Sequence, residues 1–202
     1  MSQSKTMEQL TKSTAVQQPH PLAAELGRLL SARGLTLALA ESCTGGLIGS
    51  LITDMTGSSD YFLGSAVTYA NSAKEDILGV QHETLLAHGA VSAETAAEMA
   101  QGARRIFGAD IAASVTGIAG PGGGTSGKPV GLVHIHLSAA DEEIGERYVW
   151  NADRMGNKLL SAEAVLRLVV RYLVDSVDHD LIAARAPTPA TGGMGAASAR
   201  KL

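Results

Sequence analysis

Residues Ile111 to Val115 are almost wholly apolar, and the twelve residues after Thr116 contain seven glycines or prolines. An apolar run this short, bounded by turn formers, reads as a strand buried on both faces near the centre of a sheet. In open α/β sheets ligands bind at the carboxyl ends of such strands, where this loop would lie. Helices must then cover both faces. The scarcity of aromatics, 3% of residues against 45% hydrophobic overall, suits that layering, because Ala, Val, Ile and Leu have to supply the packing.

The rest of the chain alternates accordingly. Leu22, Leu26, Leu29 and Leu30 have helical spacing, and Gly34 is a C-terminal stop. Leu35 to Ala40 reads as a short strand. A helix is expected from about Thr44 to Met55, with Leu47, Ile48, Leu51 and Ile52 inward. Phe62 to Tyr69 reads as a second strand, and Asn71 to Leu78 as a short helix capped by Asn71. Ser92 is the N-cap of a longer helix reaching about Phe107. Val130 to Ser138 and Ile144 to Trp150 read as a hairpin or adjacent pair, and Asp153 to about Val177 as a long final helix. Five strands and at least four helices predict a three-layer α/β/α domain with a mixed, mostly parallel sheet. That domain is expected over 19–184, between a flexible leader at 1–18 and a disordered tail at 185–202.

Charge and cysteine content narrow the function. A net charge of −4 without a basic stripe argues against nucleic-acid binding, and Arg104-Arg105 and Arg200-Lys201 read as solvated pairs. The single cysteine, Cys43, excludes an intramolecular disulfide and a multi-cysteine metal site. The polar first twenty residues lack the apolar run of a signal peptide, and no segment is long enough to span a bilayer. A soluble, cytoplasmic protein is expected.

Three segments carry chemistry. Ser42 falls between a strand and a helix, where free backbone N–H groups can stabilise an oxyanion, and Gly45 and Gly46 allow close approach. A serine there can be a nucleophile if a base takes its proton; the plainer reading is a helix N-cap. Val67 to Lys74 follows the second strand and can reach the same sheet edge. Lys74, half withdrawn from water, could serve as a base, with Tyr69 passing a proton or holding the lysine; the plainer reading is an exposed helical lysine beside a packed tyrosine. The third segment, Thr116 to Lys128, offers successive N–H groups for an anion. Within it Gly122 to Lys128 spells G-x-x-x-x-G-K. The P-loop match fails, because Pro129 follows the lysine and a strand, not a helix, comes next. His134 and His136 share a strand face without a third ligand, so no metal site is expected. Cys43 could itself be the nucleophile, but reads better as a small buried residue. Arg154 opens the last helix, as a surface charge or reaching towards a phosphate.

Jointly, Leu39 to Gly46, Tyr69-Ala70-Asn71 with Lys74, and Thr116 to Gly123 resemble the CinA C-terminal domain family, the nicotinamide-nucleotide amidases. The resemblance extends over about His20 to Leu173. It implies hydrolysis of the carboxamide of nicotinamide mononucleotide to nicotinate mononucleotide and ammonia, in pyridine-nucleotide salvage. Ser42 would attack the amide carbon, Lys74 would be its general base, and Tyr69 would assist proton transfer to the departing ammonia. Backbone near Thr44, Gly45 and Gly46 would face the oxyanion. Asn71, Gly117, Gly120, Pro121, Gly122, Gly123 and Arg154 would bind the nucleotide, with no metal and no cofactor. A homodimer or higher homo-oligomer is the implied assembly.

Two features depart from the family pattern. Relatives tend to carry a second arginine near Lys158. Many also carry an N-terminal domain resembling molybdopterin-binding proteins; neither that domain nor activity tied to it is expected here. A non-catalytic nucleotide-binding module and an amidase for another small carboxamide are the competing expectations.

Overall fold

The computed structural model describes residues 19–185, and side chains as far as Asp175. The expectations for residues 1–18 and 186–202, Arg200-Lys201 among them, lie outside the described residues. The elements in chain order are α1 (Pro21–Arg33), β1 (Leu37–Glu41), α2 (Leu47–Thr53), β2 (Phe62–Val67), α3 (Asn71–Leu78), α4 (His82–His88), α5 (Ala93–Phe107), β3 (Ile111–Gly117), β4 (Leu132–Ser138), β5 (Glu143–Val149) and α6 (Arg154–Arg185).

They form a five-stranded sheet in the order β2-β1-β3-β4-β5, with helices on both faces, a three-layer α/β/α architecture. β1 pairs in parallel with β2 and β3; β4 is antiparallel to β3, and β5 to β4. The mixed sheet expected from the sequence is thus present, with its parallel part in the first three strands.

Alternation along the strands decides what packs on each face. Leu37, Leu39, Ile111, Ala113 and Val115 join the larger core beneath α1, α2 and α6. Ala38, Ala40 and Ala112 face the other way, against Met99 and Ala103 of α5 and Leu78 of α3. The small side chains on that face let α5 lie close to the sheet, near enough for Ser114 Oγ to donate to the Ala96 carbonyl at 2.6 Å. One contact is tighter still. A Cβ at Gly102 of α5 would lie 2.2 Å from the Leu78 carbonyl oxygen, so only glycine lets α3 end where it does.

Local signals explain most boundaries. Gly34, Gly79 and Gly108 end α1, α3 and α5 in the left-handed region. Ser92 Oγ accepts from the Thr95 amide and caps α5, a contact worth about 1 kcal/mol. Three expectations need correction. Asn71 does not cap α3: Ala70 occupies that position, and no side chain caps the helix. The helix expected from Thr44 begins only at Leu47. The last helix runs to Arg185, not Val177, because Pro187 is the first helix breaker after Gly156. Helix α4 has no counterpart in the sequence reading; it is short, and Leu85 is its buried residue.

Of the arginine pair Arg104-Arg105, Arg105 is exposed as expected and Arg104 is half-buried, and both also bond backbone. Arg104 donates to the Ala139 carbonyl at 2.6 Å and Arg105 to the Leu78 carbonyl at 2.8 Å, tying α5 to its neighbours. Among the described residues no helix is long and apolar enough to cross a membrane.

Candidate active site

Parallel pairing puts the carboxyl ends of β1, β2 and β3 at one sheet edge, with Glu41 opposite both Val67 and Val115. The ladders continue one residue further. The Ser42 amide donates to the Val115 carbonyl at 3.0 Å, and the Thr68 amide to the Glu41 carbonyl at 2.9 Å. Both segments are therefore fixed by backbone before any side chain is considered.

Lys74, on the first turn of α3, returns to this edge. Its Nζ donates to Ser42 Oγ at 3.1 Å, to the Thr68 carbonyl at 2.7 Å and to the Tyr69 carbonyl at 3.4 Å. The side chain is 1% exposed and Ser42 is 8% exposed. Burial lowers the Lys74 pKa from its ordinary value, and no carboxylate pairs with it in the described ion pairs. A charged lysine has three N–H donors for these three partners. A neutral one keeps two donors for the carbonyls and aims its lone pair at the serine hydroxyl. The arrangement accommodates a base as well as it does a cation.

Ser42 is not a helix cap. The N-cap of α2 is Gly46, and Glu41, which the sequence reading did not single out, does the capping. The Glu41 side chain is fully buried. Its Oε2 accepts from Thr44 Oγ1 at 2.8 Å, Gly46 N at 3.0 Å and Ile48 N at 3.2 Å. Its Oε1 accepts from Gly49 N at 2.9 Å and Ser65 Oγ at 3.0 Å. A carboxylate thus fills the anion site that a helix N-terminus would otherwise offer a ligand. The Gly46 amide is used, and the Gly45 amide donates to the Ser42 carbonyl at 3.1 Å. The Cys43 and Thr44 amides of this turn both bear on the Cys43 thiol, and among the described residues neither has an oxygen acceptor.

Ser42, Cys43, Tyr69, Lys74, Gly117, Gly120, Gly122, Gly123 and Arg154 line a cavity of about 260 Å³. Ala90, Val91, Ile118 and Ala119 complete it. Thr44, Gly45, Gly46, Asn71 and Pro121, expected to bind substrate, are outside this lining. Thr44 is buried on Glu41, while Gly45, Asn71 and Pro121 are exposed. Tyr69 meets Lys74 through its carbonyl, whereas its phenol is 65% exposed and accepts from Arg154 at 3.4 Å. Arg154 also donates to the Gly120 carbonyl at 2.6 Å, and Asn157 to the Ala119 carbonyl at 3.0 Å, which secures the glycine loop to α6. The backbone Gly120–Pro121 bond in this loop is cis.

Cys43 is buried, and burial pushes its thiol up to about 11. It is uncharged near neutrality, a poor nucleophile beside a serine that holds a base. His136 pairs with Glu143 across the β4–β5 hairpin at 2.6 Å. Among the described residues no group of three or more His, Cys, Asp or Glu side chains is arranged to hold a metal ion.

Residues 19–173 match the family described as CinA C-terminal domain. A CinA-like protein of Chloroherpeton thalassium is 54% identical over 158 residues, covering 76% of this chain and 37% of the relative. The chain spans little more than a third of the length of the curated relatives it matches. Among solved structures, competence/damage inducible protein CihA from Agrobacterium tumefaciens has a TM-score of 0.73 at 41% identity, over 74% of this chain and 92% of that one. A competence-damaged protein (CinA) superfamily protein from Klebsiella pneumoniae has a TM-score of 0.75 at 31% identity, over 79% and 99%.

Proposed function

The chain belongs to the CinA C-terminal domain family, and from that premise we propose that it hydrolyses the carboxamide of nicotinamide mononucleotide by a serine–lysine mechanism. The observation that carries the reading is the Lys74 Nζ to Ser42 Oγ contact of 3.1 Å, on a buried lysine with no carboxylate partner among the described residues, in the lining of the cavity.

Neutral Lys74 takes the hydroxyl proton as Ser42 Oγ attacks the amide carbon, and the carbonyl oxygen becomes an oxyanion. Since Glu41 and the Ser42 carbonyl occupy the Gly46 and Gly45 amides, and Thr44 is fully buried outside the cavity lining, the Cys43 amide is the donor this turn has left for that charge. Collapse of the tetrahedral intermediate breaks the C–N bond. The leaving nitrogen takes the proton from Lys74, assisted by Tyr69, and departs as ammonia. Water, deprotonated by Lys74, then hydrolyses the Ser42 ester, releasing nicotinate mononucleotide and regenerating both side chains.

Thr68 and Tyr69 carbonyls keep the lysine lone pair on the serine throughout. Gly117, Gly120, Gly122 and Gly123 line the nucleotide wall, and Arg154, with N–H groups left over after its two contacts, meets the phosphate at the mouth. A site of about 260 Å³ suits a small molecule of this class rather than a protein amide.

Ammonia release from nicotinamide mononucleotide, nicotinamide and glutamine, assayed in parallel, tests the reading. Turnover of the nucleotide is expected, with a loss of at least about 10³-fold in Ser42→Ala while the fold is kept. Stabilisation of the wild type by the nucleotide without ammonia would identify a binding module instead. Preference for glutamine or another amide would reassign the substrate.

A further inference from the structure

The Gly122 to Lys128 segment has the spelling of a phosphate loop without its context, which leaves the ammonium of Lys128 unaccounted for. Its Nζ donates to the His88 carbonyl at 2.5 Å and to the Val91 carbonyl at 2.7 Å. Those carbonyls flank the α4–α5 junction, whose Ala90 and Val91 form one wall of the cavity. Gly120, Gly122 and Gly123, in the loop that ends at Lys128, line the same cavity. The turn carrying the lysine is itself closed, with Thr125 N donating to the Lys128 carbonyl at 2.8 Å and Lys128 N to Thr125 Oγ1 at 3.1 Å.

The other end of the loop is held from α6, by Arg154 on the Gly120 carbonyl and Asn157 on the Ala119 carbonyl. Between these anchors Gly122 and Gly127 are exposed with open space around them and have little to restrain them, whereas Gly124 packs on Val130. The junction wall is also tied to the sheet, because Thr116 Oγ1 donates to the Ala90 carbonyl at 2.6 Å. An ammonium satisfied by two carbonyls from one wall is poorly placed to serve as a phosphate ligand.

We infer that Lys128 is a positioning residue, a strap that binds the glycine loop to the α4–α5 junction and so sets the width of the substrate cavity. It touches neither Ser42 nor Lys74 and does no chemistry. Its contribution is to hold the loop in its binding shape before substrate arrives, so that little ordering remains to be done on binding.

The inference rests on the proposed function only for its kinetic consequence, and hydrogen exchange reads the strap without substrate. In Lys128→Met, amides of 89–92 and 120–128 are expected to exchange at least about tenfold faster, while those of β3 and α5 keep wild-type rates. In the nucleotide assay KM rises about tenfold and kcat changes less than threefold. Lys128→Arg, which can reach both carbonyls, restores much of the protection and of KM. Unchanged exchange in the loop, or acceleration spread equally over β3 and α5, would overturn the strap. If the wild type releases no ammonia, the amidase reading fails and the exchange pattern still decides this one.

Discussion

Lys74 Nζ lies 3.1 Å from Ser42 Oγ, and its two remaining bonds end on the backbone carbonyls of Thr68 and Tyr69. All three partners are tied to the ends of β1 and β2, so the lysine is aimed by backbone. Burial holds its pKa below the ordinary 10.5. With Lys74 as the base, kcat/KM is expected to rise with pH as the ammonium loses its proton, with an apparent pKa below 10.5.

Stability follows the same proton. Between the lowered folded value and 10.5 the unfolded chain holds a proton that the folded chain lacks, so stability rises with pH across that window. Below the folded value the cost of burying the charge is present in full. Lys74→Met is expected to flatten this rise, measured as urea midpoints from pH 7 to 10.5, and to abolish turnover. An unchanged pH slope in the variant would mean that the lysine is not held neutral by burial.

Cys43 separates two candidate nucleophiles. A buried thiol pushed up to about 11 is ionised to roughly one part in a thousand at pH 8. Alkylation by iodoacetamide at that pH should run at least about 100-fold slower than for free cysteine. Cys43→Ala should cost less than tenfold in turnover, since the oxyanion donor of this turn is backbone. A loss as large as that of Ser42→Ala would move the nucleophile to the thiol.

Glu41 fixes the turn that presents Ser42. In Glu41→Gln one carboxylate oxygen becomes an NH₂ group facing donors, and two or three of the five donors lose their acceptor. Orphaned buried donors cost about 1–3 kcal/mol each, so a loss of at least about 2 kcal/mol is expected from the denaturant midpoint. A change below about 0.5 kcal/mol would show that the turn holds without the charge.

How much of this was legible in the residues follows range in sequence. Gly34, Ser92 and the Asn71 to Leu78 run act within a few residues, and the helices they mark are where the sequence puts them. The apolar run at Ile111 sits at the centre of the sheet for the same reason. The contact between Ser42 and Lys74, 32 residues apart, depends on β1 pairing with β2, which no local pattern encodes. Glu41 was missed because a charged residue at a strand end ordinarily marks solvent. The available signal was a helix opening at Gly46 with no Ser, Thr, Asp or Asn to cap it. Lys128 was hidden by the failure of its motif, since its carbonyl partners lie 37 and 40 residues away.

The last prediction joins packing to chemistry through Gly102. The Leu78 carbonyl that crowds it is the last of α3, the helix that carries Lys74, and it also accepts from Arg105. Gly102→Ala would set a Cβ 2.2 Å from that oxygen, so α3 must retreat from α5 by on the order of 1 Å. The expected cost is about 1–3 kcal/mol in stability. A shift of that size in Lys74 should also lower kcat/KM by up to about 100-fold. Gly108→Ala is the control. Its φ of +64° makes alanine strained, costing on the order of 1 kcal/mol, yet no atom lies within 4 Å of the added carbon. Equal stability losses with kcat/KM reduced only in Gly102→Ala would tie activity to the seating of α3. Equal kcat/KM in the two variants would show that Lys74 does not depend on it.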